Sequence, residues 1–226
     1  MKNFGFDKLF FEKAFSEARM RPYFQRCNGH NRLAIQLYEQ NISLAEALQP
    51  SLSIFEVTLR NAIIRELERA AGNKEWYTYI LSLPKLGSIC NSLSIAISHI
   101  QARGETLSAD KINGELTMGF WVSLFNADYK RILWKDLRRA FPNIPKNKRK
   151  RRMISTPLNA IRILRNRVFH NEAIGWNLDR LSKYHSLIIE VIEWINPEVT
   201  EWMKRMDRFD KVITMARIKR KWSHRL

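Results

Sequence analysis

The sequence predicts an all-α fold, and three observations carry that prediction. Apolar residues recur at intervals of three and four rather than alternating, which is the period of a helix with one buried face. Leu, Ile, Ala, Glu, Lys and Arg fill most segments, and most of these residue types favour helix. Only eight Gly and seven Pro are spread through 226 residues, so turns are few and helices long. A hydrophobic content of 45% and an aromatic content of 11% exceed those of a disordered chain, and the length suffices for a sizeable core. With no internal repeat, low-complexity stretch or long linker, residues 1–226 are expected to form one domain.

The elements follow in order. Ser16 caps a helix through Met20, Tyr23 and Phe24 that stops at the turn pair Asn28-Gly29. Asn31 starts a second helix containing Leu33, Ile35, Leu37 and Tyr38. Ser43 opens the longest apolar stripe, from Leu44 through Leu48, Leu52, Phe55, Leu59 and Ile63 to Leu67, which ends before Gly72-Asn73. Pro50 lies inside that stripe and is expected to kink or divide it, because proline has no N–H for the helical ladder. Trp76, Tyr77 and Tyr79 form an aromatic patch beyond it, and a helix follows over about Leu86 to Ile100. Asn113-Gly114 marks a loop before Leu116–Phe125, a segment apolar nearly all round and therefore buried. Tyr129 to Phe141 is a short helix containing Trp134. After the cationic run Lys146–Arg152 comes a helix through Ile161, Leu164 and Val168 to His170. Asn177–Ile195 and Pro197 to about Arg220 supply the last two helices, with Pro197 in a first turn that tolerates it.

Thirty-nine Lys and Arg against 22 Asp and Glu leave a net charge of +17 and a pI near 10.2, which points to a polyanionic partner. Nucleic acid and an anionic membrane surface both satisfy that charge. No apolar run approaches a membrane span, and the first residues lack the apolar region of a signal peptide, so the cytoplasm is the expected compartment and a membrane partner is not expected. Cys27 and Cys90 have no paired spacing and read as small core residues. His30, His99, His185 and His224 show no metal-ligand spacing, and neither a glycine-rich phosphate loop nor a Gly-x-Ser-x-Gly elbow occurs, so no metal and no cofactor are expected. Core packing accounts for most of Trp76, Trp121, Trp134, Trp194 and Trp202.

The helix ending at His170 carries the candidate chemistry. At 100° per residue Ile161, Leu164 and Val168 fall within about 60° of one another as a core stripe, while Asn166 and His170, four apart, share a face directed elsewhere. Arg165 lies about 40° from Ile161, at the margin of the stripe, where an arginine needs an acidic partner or a second subunit. Cutting RNA without a metal needs a group that takes the proton from the 2′-hydroxyl and cationic donors for the charge building on the phosphate. His170 suits the first task, since histidine exchanges protons near neutral pH, and Arg165 suits the second through its planar, permanently charged fork. Asn166 has an amide that can hold the imidazole or a phosphate oxygen. The products would be a 2′,3′-cyclic phosphate and a 5′-hydroxyl. Spacing alone does not select this reading, because a capping arginine and a surface histidine at a helix end give the same pattern.

Arg165-Asn166-Arg167-Val168-Phe169-His170, continued by Asn171-Glu172-Ala173-Ile174, resembles the Arg-Asn-x-x-x-His signature of HEPN ribonucleases, in the form carried by Abi-like (abortive-infection) proteins. Those usually end His-x-Glu-Pro-Ile. Ala173 stands in the place of the proline, a departure expected to loosen the turn and to leave the reacting groups untouched. Ser51–Ile63, with Glu56, Arg60 and Asn61, resembles the family's early Glu-x-x-x-Arg-Asn helix, and Leu116–Val122 and Leu137–Pro142 resemble its middle motifs. The likeness spans roughly residues 16–203 and leaves a basic tail over 204–226.

The resemblance implies a HEPN-type helical bundle with additional helices, and a homodimer in which arginine and histidine of both copies form one composite cleft. It also implies a role in phage defence or as a toxin restrained by an RNA or protein antitoxin. RNA would be the substrate or a small regulatory partner. Glu56, Arg60, Asn61 and Glu172 take supporting roles, with Glu56 receiving Arg165 or His170. The bland alternative for Glu56 and Arg60 is an exposed ion pair four residues apart. HEPN domains that bind RNA without cutting it offer a second function class, and a helical interaction protein whose charge serves solubility is a third. Lys146, Lys148, Arg149, Lys150, Arg151 and Arg152, six cations in seven positions, together with Arg167, are the candidates for binding the RNA backbone. A solvated loop is the alternative for the run. The tail segment Arg217–Trp222 combines cations with an aromatic that can stack on a base, or is simply a solvated terminus.

Overall fold

The computed structural model describes residues 7–223, with side chains through Arg220. Twelve α-helices occur among them: α1 (Lys8–Phe15), α2 (Glu17–Arg26), α3 (Asn31–Ala71), α4 (Trp76–Ser82), α5 (Gly87–Ala102), α6 (Ala109–Glu115), α7 (Met118–Ser123), α8 (Lys130–Leu137), α9 (Arg151–Phe169), α10 (Leu178–Ile195), α11 (Pro197–Lys204) and α12 (Phe209–Ser223). The protein is all-α, with no strand among the described residues.

Local chemistry sets the boundaries. The Ser16 hydroxyl accepts from the Arg19 N–H at 3.4 Å and starts α2, and Asn28 and Gly29, both at positive φ, turn the chain after it. Asn196 caps α11, whose first residue is Pro197. An unforeseen first helix, α1, is capped by Asp7. The expected loop at Asn113-Gly114 is instead the last turn of α6, which Ser108 caps through the Lys111 N–H.

Two larger differences have physical causes. The chain from Asn31 to Ala71 is one 41-residue helix, not two, and it passes through Pro50 without dividing. A proline inside a helix costs about 3 kcal/mol. Leu44, Ala47, Leu48, Leu52 and Phe55 around it are all buried, and each large apolar side chain contributes about 1.5–3 kcal/mol, so packing outweighs the break. The segment from Pro197 to Arg220, expected as one helix, is two, because the Asp207 carboxylate accepts from the Phe209 N–H at 2.9 Å and starts α12 afresh.

Two compact units make up the chain. One holds the described residues up to Gln49, Arg167–Lys183 and those from Asp207 onward. Its core gathers Phe11, Met20, Tyr23, Phe24, Ala34 and Tyr38, with the Tyr23 ring 5.3 Å from that of Tyr38 and 4.8 Å from that of Trp176. The other holds Pro50–Asn166 and Tyr184–Met206, where Trp76 meets Trp121 at a tilt, Phe125 meets Phe141 edge to face, and Leu158, Ile161 and Leu164 of α9 are buried. Trp76, Trp121 and Trp194 are buried, as expected of core residues, whereas Trp134 is half-buried and Trp202 is exposed. Cys27 is half-buried and packs against the core of the first unit, Cys90 is half-buried, and both are free.

Candidate functional site

Within the second unit, α3 and α9 supply an ion pair. Arg165 donates from Nε to Glu56 Oε2 at 3.1 Å, both side chains being about one-quarter exposed. The helical wheel places Arg165 at the edge of a buried stripe, and the carboxylate answers the need that position creates. Glu56 therefore takes Arg165, and no ion pair joins Glu56 to Arg60 among the described residues. Arg60 instead holds a buried Nε with no hydrogen-bond partner. Asn61 is exposed, and Asn166 is half-buried with no side-chain hydrogen bond among the described residues.

Within the first unit, the end of α9 is built as a Schellman cap. The Asn171 N–H donates to the Val168 carbonyl at 3.1 Å and the Glu172 N–H to the Arg167 carbonyl at 2.8 Å. Asn171 sits at φ 53, a left-handed conformation that asparagine tolerates better than other non-glycine residues. His170 is thereby the cap residue itself, exposed to solvent.

The stretch after the cap is held through its own backbone. The buried Asn41 side chain accepts from the N–H groups of Ile174 and Gly175 at 2.8 and 3.0 Å, and donates to the Glu172 carbonyl at 3.1 Å. Three arginines donate to three carbonyls: Arg19 to Asn171, Arg167 to Ala173 and Arg220 to Gly175. Arg220 also donates to Gln40 at 2.7 Å, and its burial, followed by the nearby Arg26 charge, lowers its pKa. Arg167 pairs in addition with the exposed Glu172 at 3.2 Å. A methyl group on Gly175 would meet Leu44 Cδ1 at 3.1 Å, so the Leu44 side chain would have to shift slightly to admit one. Ala173, expected to loosen this turn, packs against the aromatic core while its carbonyl receives Arg167.

Sequence reasoning missed Asn41 and Arg19, and it read Arg220 only as part of a basic tail segment. Asn41 left a signal, an amide in register with the buried Ala34, Tyr38, Leu44 and Leu48, and a buried amide requires partners.

The run Lys146–Arg152 divides in two. Lys148 pairs with Glu190 and lies 5.5 Å from the Trp194 ring, Arg149 donates to the Ile144 carbonyl at 3.0 Å, and Arg151 donates to the Phe125 carbonyl at 2.6 Å and to Ser155 Oγ at 3.0 Å. Lys146, Lys150 and Arg152 are exposed and make no ion pair with a described residue. In the tail, Arg217 pairs with Asp179 at 2.8 Å, and the side chain of Trp222 lies outside the described residues, as does His224. Among the described residues no group of three or more His, Cys, Asp or Glu could hold a metal ion, and no helix is long and apolar enough to cross a membrane.

Comparison of the chain with models of protein families, with curated proteins and with solved structures finds no match.

Proposed function

We propose that this protein is a metal-independent endoribonuclease of the HEPN type, acting in the cytoplasm as a defence effector or toxin. His170 takes the proton from a ribose 2′-hydroxyl, and that oxygen attacks the adjacent phosphorus. The 5′-oxygen of the next nucleotide leaves, protonated by the imidazolium of a second copy, so the ends are a 2′,3′-cyclic phosphate and a 5′-hydroxyl. Arg165 stabilises the charge that builds on the phosphate oxygens. The observation that carries the reading is the Arg165–Glu56 ion pair, in which the arginine of the signature is aimed by a carboxylate from the early motif. The exposure of His170 at a fixed helix cap supports it, as does the net charge of +17.

The test is RNA cleavage in EDTA by the purified protein. His170→Ala, with circular dichroism and unfolding midpoint unchanged, is expected to lose about 100-fold or more in rate, the usual contribution of a general acid–base group. Undiminished cutting would remove His170 from the mechanism. The unpaired Lys146, Lys150 and Arg152 equally suit a non-catalytic RNA-binding module, restrained or recruited by a small RNA or protein partner. That reading requires RNA to be bound and no cyclic-phosphate ends to form.

A further inference from the structure

The second unit carries a feature that the proposed cleavage does not use. Two adjoining grooves of about 350 and 360 Å³ share Trp134 and Arg149 as common wall. Arg151, held by the Phe125 carbonyl and Ser155, also lines the second groove, Lys130, Arg138, Arg139, Lys150 and Arg152 complete the cationic lining, and no Asp or Glu lines either groove. None of these five makes an ion pair with a described residue. The acids closest in sequence lie off the grooves, and of these Asp136 is engaged by the Tyr79 hydroxyl at 3.2 Å. The arrangement has a simple local origin. Lys130 stands four residues before Trp134 and Arg138 four after, so one face of α8 and its 3₁₀ extension presents cation, aromatic, cation in a row. The Lys150–Arg152 segment, at the start of α9, supplies the facing charges.

Like charges gathered without counter-charges repel one another, so this grouping is unfavourable for the isolated fold and becomes favourable only when an anion enters. The geometry also specifies what kind of anion. A half-buried indole between guanidinium groups offers a flat π-face for a base, and cations on both sides offer phosphate contacts. Two joined grooves extend beyond a single phosphate, and stacking on an indole demands a base that is not already paired. We infer that the Trp134 grooves bind single-stranded RNA, Trp134 stacking on a base while Lys130, Arg138, Arg139, Lys150 and Arg152 hold the phosphates around it. The identity of the polymer rests on the RNA reading above, whereas binding here needs none of the His170 chemistry.

The test is fluorescence anisotropy with the full chain and a labelled 2′-O-methyl oligouridylate, which lacks the attacking hydroxyl and so stays intact, beside a fully paired hairpin, each titrated across salt. Trp134→Ala is expected to weaken single-strand binding about tenfold and hairpin binding far less, with Trp134→Phe restoring most of the loss. The exposed pair Arg139→Gln with Lys150→Gln should lower the slope of log affinity against log salt by about 1.4 while leaving the unfolding midpoint unlowered. That pair keeps the test valid if Trp134→Ala fails to fold. An unchanged slope in the double variant, equal losses for single strand and hairpin, or retention on phosphatidylserine vesicles without RNA binding would overturn the inference. The two readings fail separately. Tight oligouridylate binding that depends on Trp134, from a protein that leaves no cyclic-phosphate ends on ordinary RNA, would retire the ribonuclease and keep the groove. Cyclic-phosphate ends from a protein whose binding ignores Trp134 would do the reverse.

Discussion

Arginine does opposite things in two parts of this molecule. Around residues 171–175, Arg19, Arg167 and Arg220 each donate to a backbone carbonyl, and the chain after the α9 cap is shaped by them and by Asn41. Around residues 130–152, Lys130, Arg138, Arg139, Lys150 and Arg152 have no ion-pair partner among the described residues and line an open groove. The first group is architecture, where a guanidinium satisfies carbonyls of the irregular stretch that follows a helix end. The second is the surface inferred to take a ligand, where cations stand without a counter-charge among the described residues. A net charge of +17 therefore overstates what a polyanion can reach, and the useful question is which cations are unengaged.

Removing architecture should cost stability and removing surface should not. The largest effect is expected for Asn41→Ala, which deletes three hydrogen bonds and strands the N–H groups of Ile174 and Gly175, at about 3 kcal/mol in urea unfolding. A loss below about 1 kcal/mol would mean that the amide does not hold this stretch.

Arg220→Gln, which gives up a charged donor to the Gly175 carbonyl, should cost about 2 kcal/mol, whereas Arg152→Gln should leave stability unchanged and lower the RNA salt slope by about 0.7. Equal stability effects for the two would erase the distinction.

The smallest effect is a pH dependence in the aromatic core of the first unit. Burial, then the Tyr38 phenol, raises the Tyr23 pKa to about 12 against a partial opposing pull from Arg19 and Arg167. The unfolded chain loses this proton from about pH 10, so the contribution is complete below that pH and disappears as the pH rises through about 12. Tyr23→Phe should flatten that alkaline decline in unfolding free energy, and an unaltered slope would place the titration elsewhere.

The sequence discloses the features that are local. The cap at Ser16, the first-turn place of Pro197, the turn at Asn28-Gly29 and the buried stripe Ile161, Leu164 and Val168 all depend on neighbours within a few residues, and each is where periodicity and turn chemistry put it. Pro50 does not divide α3, because a local penalty is set against packing that only the folded chain reveals. The break before α12 was hidden because no Gly or Pro marks it, only the Asp207 carboxylate that accepts from the Phe209 N–H. At the candidate site the same division holds. The need of Arg165 for an acid could be read from the helical wheel, and Glu56 as its partner came from the resemblance. Asn41, Arg19 and Arg220 act across more than 40 residues of sequence or more, and nothing in their immediate neighbours announces which carbonyls they will meet.

In the proposed mechanism a ribose 2′-oxygen, activated by His170, is the nucleophile. The most direct measurement is the mass of the fragments released from a defined RNA in EDTA. That chemistry yields upstream fragments ending in a 2′,3′-cyclic phosphate and downstream fragments beginning with a 5′-hydroxyl, with no cut where the nucleotide 5′ to the break is 2′-deoxy. Fragments with 3′-hydroxyl and 5′-phosphate ends, or cutting that ignores the 2′-deoxy substitution, would contradict it.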